Sequence, residues 1–375
     1  MTPLNQRYSA LDVFRGMTIC FMIIVNTPGN HLTTYAPLLH AEWNGFTPTD
    51  LVYPSFLFAV GNAMSFAMKK WANMGQAQVL AKIFKRTLLL FVLGYLLYWF
   101  PFIKNDLSGH VALKPFAQTR VFGVLQRIGL CYGIAALMIW YLKPKKALIA
   151  SVIFLIAYWL ILLWFGEPGN ELGLTGNAVS KLDWWLIGPN HMNNGEGVPF
   201  EAEGLLSTLP AVVNVIAGYL VGYFIQLNGK TWEMLAKLLI AGCLLTALGW
   251  CWDLSFPINK KLWTSSFVLY TTGLDCVILA AVIFIMDFLN KTRWASFFEV
   301  FGKNPLFIYI LAEVAAVVLR AYRPKRDTTL YKWIFDHFFS FTGMYVGSLL
   351  FAIWFMLMCW LAGWWLDKRK IYIRV

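Results

Sequence analysis

The sequence predicts an all-α, polytopic integral membrane helix bundle, and three observations carry the prediction. Of 375 residues, 59% are hydrophobic and 13% charged, against about 45–50% and about 25% in an ordinary soluble domain. Apolar runs recur along the whole chain at the length of about 20 residues that crosses about 30 Å of hydrocarbon. Eighteen Trp, sixteen Tyr and thirty Phe suit helices whose amphipathic rings gather where hydrocarbon meets headgroup.

About ten spans are expected, near 11–27, 50–68, 87–103, 121–141, 147–165, 205–226, 234–252, 264–288, 297–319 and 343–366. The first carries Asp12 and Arg15, three residues apart and so on one helical face, and ends at Asn26 before Pro28 and Gly29. The second opens with Thr49 or Asp50 as its N-cap. The fourth begins beyond Arg120 and holds Gln126 and Arg127 about two turns inside, while Asn62 and Asn214 in the second and sixth read as interhelical hydrogen-bond partners. In the ninth, Lys303 and Asn304 stand between a Gly and a Pro, so this helix is either interrupted beside a cavity or begins at Asn304. The stretch 166–203, rich in Gly, Asn and Pro, reads as an ordered or semi-ordered loop. No cut between domains is visible, and residues 1–375 read as one transmembrane domain with that loop outside.

The formal charge of +12 does not point to nucleic acid, because the basic residues fall in short clusters between apolar runs. With the N-terminus inside, inner segments hold 17 Lys and Arg, counting Lys237 at the inner end of the seventh span, and outer loops hold 11, which favours an N-in, C-in chain. The first outer loop, 28–49, then has no Lys or Arg and contains His31, His40, Glu42, Trp43 and Asn44. The N-terminus has no signal-peptide pattern, so the first helix is expected to be retained. Six cysteines without a CxxC pair or a ligand-spaced His lead to an expectation of neither disulfides nor a metal site.

A charge in a span needs a partner, a cavity or a function. Asp12 and Arg15 form either an interface anchor or a cationic mouth, and Arg127 either a ligand contact or half of an ion pair with Glu203 or Glu313. His40 is the histidine with the richest polar surroundings, since "HAEWNGFTPTD" sets Trp43, Asn44 and Asp50 within ten residues of it. A carboxylate beside an imidazole fixes its tautomer and raises its basicity, as a general base requires. Asp50 has capping alone as its competing role. P-loop, dinucleotide, HExxH and GxSxG patterns are missing from the sequence.

The blocks "LDVFRGMTICFMIIVN", "HAEWNGFTPTDLVYPSFLFAVGNAM", "GVLQRIGLCY", "EGLLSTLPAVVNVIAG", "PINKKLWTSSFVLYT" and "GKNPLFIYI" occur in that order. They resemble the heparan-α-glucosaminide N-acetyltransferase family and its bacterial NagX-like relatives. The specific part is His-x-x-Trp-Asn-Gly followed by Asp-Leu-Val-aromatic-Pro. The resemblance implies an acyltransferase that moves acetyl from cytosolic acetyl-CoA to the amine of a glucosamine-like sugar or glycan terminus across a lipid bilayer. It matches His40, Asn26 and Asp50 to the family's catalytic residues and implies a homodimer. Arg15, Arg127, Arg86 and Asn304 are the expected coenzyme contacts, and Trp43, Asn44 and Glu203 the expected sugar contacts. The sequence departs from the lysosomal enzymes in Glu42, where a small residue often sits, in "GKNP" for "GMNS", and in an expected lack of their N-terminal luminal domain and first helix. The expected location is a bacterial cytoplasmic (inner) membrane with the His40 loop facing the periplasm. A secondary transporter for a sugar or amino sugar, and a structural membrane protein, are the competing readings.

Overall fold

Apolar runs become helices because a backbone in hydrocarbon must satisfy its own hydrogen bonds. The computed structural model describes residues 8–105, 111–324 and 328–373. Its helices are α1 (Ser9–Asn26), α2 (Pro48–Lys69), α3 (Gln76–Trp99), α4 (Val124–Phe165), α5 (Ala178–Leu186), α6 (Leu205–Asn228), α7 (Trp232–Asp253), α8 (Ser265–Ile283), α9 (Ala295–Lys303), α10 (Pro305–Ala321), α11 (Leu330–Phe338) and α12 (Met344–Lys368). A small antiparallel ribbon, β1 (Ile103–Asn105) with β2 (Val111–Leu113), pairs Ile103 opposite Leu113.

Among the described residues, seven helices are long and apolar enough to cross a membrane, or eight if the bent pair α9 and α10 is one span. The expected number was ten. α3 holds Lys82, Lys85 and Arg86 in its first half, which dilutes its apolar character. The spans expected at 121–141 and 147–165 are joined in one helix of 42 residues, α4, broken where Lys143 has φ 64° ahead of Pro144. Proline lacks the N–H an inner turn needs and pushes the preceding residue out of the helical region. The ninth expected span is interrupted, with α9 and α10 meeting at 83° around Asn304 and Pro305.

Small residues let the central helices approach. A Cβ on Gly61 of α2 would strike the Val215 carbonyl of α6, and one on Gly218 would strike that of Phe58. α1 meets α9 in the same way, through Gly16 and Gly302. The second arm of α4 and helix α7 expose Ile149, Ile153, Leu244 and Trp250, as lipid-facing surfaces do. The loop at 166–203 is ordered: it contains α5, and its Val179 and Phe200 pack on Tyr158, Leu162 and Phe256.

The connections gather on two opposite faces. On one, the loops bearing His40, Arg120, Glu201, Lys260 and Tyr331 are joined by side-chain hydrogen bonds. On the other, Arg15 meets Gly302 and Lys303 meets Asp367. Asn214 does bridge helices, accepting from Trp263 Nε1 at 3.0 Å and donating to Thr272 at 3.3 Å. Asn62 departs from the bridging role expected of it, because neither atom of its buried amide has a partner among the described residues.

Candidate active site

The His40 loop is held against the start of α2 by the Asp50 carboxylate and by the Thr47 and Thr49 hydroxyls, which donate to Leu39 O and Pro37 O. Thr47, rather than Thr49 or Asp50, is the N-cap, followed by Pro48 at the first helical position and Asp50 at the third. Asp50 Oδ2 accepts the backbone N–H of Thr47 at 3.0 Å and of Ala41 at 3.1 Å. Its Oδ1 lies 2.7 Å from His40 Nδ1. Asp50 is fully buried, so it has no water to prefer over these donors. The geometry assigns the imidazole proton to Nδ1 and leaves Nε2 as the acceptor nitrogen of the ring.

Lys260, from the loop between α7 and α8, completes the group. Its Nζ lies 2.9 and 3.0 Å from the two ring nitrogens of His40 and 3.8 Å from Asp50 Oδ1. Burial and this ammonium hold the His40 imidazole below its ordinary value, against the opposing pull of Asp50. His40 is therefore a neutral base near pH 7. Burial likewise lowers Lys260, with Asp50 and Glu203 opposing. The loop that carries Lys260 is stitched to the His40 loop by Asn259 Nδ2 donating to Asn44 Oδ1 at 3.1 Å and Gly45 N–H donating to Ile258 O at 2.8 Å.

Two cavities lie nearby: the one lined by His40 is called outer and the one lined by Arg15 inner. The outer one, about 320 Å³, is lined by His40, Asn26, His31, Glu313 and Arg320 among others. The inner one, about 510 Å³, is lined by Arg15, Lys70, Arg86, Lys303 and Asp12, with apolar walls from Phe56, Leu90, Ile128 and Leu306. Met22 and Tyr309 line both. A third, about 190 Å³, reaches Glu313 and Tyr309 from Gln126 and Tyr98. In the inner cavity Arg15 pairs with Asp12 at 2.6 Å, and Arg86 stacks 4.5 Å from the Tyr132 ring centroid with its Nε lacking a hydrogen-bond partner among the described residues.

The expected site residues divide. His40 and Asn26 line the outer cavity, with Asp50 behind the ring, and Arg15 and Arg86 line the inner one. Arg127 stands apart from them. α4 begins at Val124, so Arg127 lies in its first turn at the His40 face, where it donates to Gly204 O at 3.2 Å and to Ser207 Oγ and stacks 5.0 Å from the Trp263 ring. It makes no ion pair with Glu203 or Glu313. Instead Glu203 joins Glu201 on Arg120, and Arg120, Arg127 and Lys260 outweigh burial to hold Glu203 below the usual carboxylate range. Asn304 is occupied by the C-terminal tail, donating to Ile371 O at 3.0 Å and accepting from Ile373 N at 2.8 Å. Trp43 donates to Leu172 O at 2.9 Å, and neither it nor Asn44 lines the outer cavity.

Sequence reasoning missed Lys260, Lys70, Tyr309 and the position of Glu313. Lys260 lay inside a quoted block, and Glu313 was visible as a carboxylate in an apolar run, but neither carried a sign of what it faces.

A family model described as heparan-α-glucosaminide N-acetyltransferase, catalytic, matches residues 7–231. The chain is 25% identical over 369 residues to the human heparan-α-glucosaminide N-acetyltransferase, covering 84% of this chain and 54% of that protein. To the mouse protein of the same name it is 26% identical over 366 residues, covering 82% and 53%. The chain thus spans about half the length of these relatives.

Proposed function

The chain belongs to the heparan-α-glucosaminide N-acetyltransferase catalytic family, and from that premise we propose that it is a transmembrane N-acetyltransferase using acetyl-CoA to acetylate an amino sugar on the opposite side of the membrane. The observation that carries the proposal is the pair of cavities sharing Met22 and Tyr309, one cationic and one containing His40. A coenzyme with an anionic nucleotide end and a long arm fits the first, with its phosphates among Arg15, Lys70 and Arg86 and its thioester near Met22. An amine fits the second.

His40 Nε2 takes a proton from the incoming ammonium, or takes the acetyl group itself and passes it on. The C–S bond breaks, the C–N bond forms, and the thiolate leaves protonated. Asp50 holds the ring and stabilises its charged form, and the Asn26 amide donates to the carbonyl oxygen as it becomes an oxyanion. The protein as proposed crosses the membrane ten times, counting the two arms of α4 separately together with α3 and the α9 and α10 pair. Its inner cavity opens to the cytoplasm and the His40 loop faces the periplasm of a bacterial inner membrane, in keeping with the Lys and Arg asymmetry. The chain acts as one transmembrane unit, alone or as a homodimer.

Purified protein given acetyl-CoA and glucosamine should release free thiol and form the N-acetyl sugar, and His40→Ala should abolish both while still binding coenzyme A. Wild-type turnover in a folded His40→Ala protein would overturn the assignment. Exchange of label between acetyl-CoA and CoA without acceptor identifies the acetyl-histidine route, and its absence the direct one.

A further inference from the structure

One wall of the outer cavity is formed by α10, which contributes Tyr309, Ala312, Glu313, Ala316 and Arg320. Glu313 is partly buried, and among the described residues its carboxylate makes no hydrogen bond and no ion pair. Arg320, two turns further along the same helix, acts on it only from beyond ion-pair distance and stacks 4.8 Å from the Tyr331 ring. A carboxylate in a largely apolar helix is costly to keep without a counter-charge, so its retention points to a counter-charge that arrives with a ligand. The third cavity, which Tyr309 and Glu313 also line, reaches Gln126, whose buried Oε1 has no donor among the described residues.

We infer that Glu313 is the specificity residue for the acceptor's ammonium group, holding the amine in the outer cavity beside His40. The inference rests on the acetyltransferase reading and names how that site selects its acceptor. An amine of ordinary basicity enters mainly protonated near neutral pH. Of its three ammonium protons, one passes to His40 Nε2 before attack, one leaves with the thiolate, and one stays on the amide. Glu313 accepts a hydrogen bond from the charged group until the first of these transfers. The reaction removes the charge that Glu313 binds, so the neutral amide product loses its anchor and leaves. A hydroxyl in place of the amine has no charge to offer, which separates amino sugars from their neutral analogues. Gln126 Oε1 accepts from a sugar hydroxyl.

The test is steady-state transfer from acetyl-CoA to glucosamine. Glu313→Gln keeps the shape and loses the charge, and it should raise the glucosamine KM about tenfold or more, the scale of one charge-assisted hydrogen bond. The acetyl-CoA KM and the kcat at saturating glucosamine should stay within about threefold, because neither coenzyme binding nor His40 is touched. An unchanged glucosamine KM in the folded variant overturns the inference. Should the variant fail to fold, equilibrium binding to the wild type decides: glucose should bind at least about tenfold more weakly than glucosamine, and equal binding overturns the inference. A wild type that transfers no acetyl to any amine defeats the acetyltransferase reading itself, a different outcome from normal transfer with an indifferent Glu313.

Discussion

Asp50 Oδ1 lies 2.7 Å from His40 Nδ1 while the other oxygen of the same carboxylate caps α2. The side chain that orients the imidazole is thereby also part of the helix terminus. Asp50→Asn should accordingly show two effects. Losing the charged partner of the imidazole should lower turnover by about 10²–10³, the scale of one preorganised electrostatic contact. Weakening the cap should cost about 1 kcal/mol, read as a lower Tm. Wild-type turnover with only a lower Tm would reduce Asp50 to a capping residue.

The pH dependence follows from the groups around His40. Burial and the Lys260 ammonium disfavour its charged form, so its titration lies below 6.5. The base must be neutral, so kcat/KM should rise with pH along a limb with a midpoint below that value and level off above it. Lys260→Met removes a cation and should move the midpoint upward, leaving less neutral imidazole at any pH on the limb. A midpoint unmoved by this change would show that Lys260 does not tune the ring.

Coenzyme binding should follow the inner cavity. Arg15→Ala and Arg86→Ala each should raise the acetyl-CoA KM about tenfold or more if they meet phosphate, with the glucosamine KM unchanged. Arg127→Ala should leave the acetyl-CoA KM near wild type, since Arg127 lies at the other face beneath Gly204 and Trp263. The opposite ranking, measured by coenzyme titration, would move the nucleotide site to the His40 side.

Sidedness can be read by labelling. Ala36 and Ala77 are both exposed, on opposite faces. In a background with the exposed Cys243 and Cys251 changed to Ser, a cysteine at position 36 should react with an impermeant maleimide in intact cells, and one at 77 only after lysis. The reverse pattern would invert the chain in the membrane.

Arg120 tests the stability of the His40 face. It is the shared partner of Glu201 and Glu203, which are 0% and 14% exposed. Arg120→Ala should destabilise the protein by about 3–5 kcal/mol, because it strands buried charge. Glu201→Gln and Glu203→Gln added to it should restore part of the Tm, and no restoration would mean the arginine acts by packing alone.

Hydropathy is a local property, and so the sequence alone determined the helical membrane class and the loop nature of 166–203, while at Asn304 it left an interrupted helix and a helix start equally open. The His40 and Asp50 pair was legible for a similar reason: ten residues of chain and a capping sequence leave the carboxylate few other places to be. What lies across the cavity was decided only by the tertiary structure. Lys260 is 220 residues from His40 in sequence, and Arg127, an expected coenzyme contact, is put at the His40 face by the start of α4 at Val124. Asn304, read as a coenzyme contact, turned out to be held by the tail. Glu313 was visible as a charge in a span, but periodicity gives the spacing of side chains on one helix and not the rotation of that helix toward its neighbours. That rotation is set by interhelical packing, in close contacts such as Gly61 on Val215 and Gly16 on Phe298, and it determines which polar group faces which.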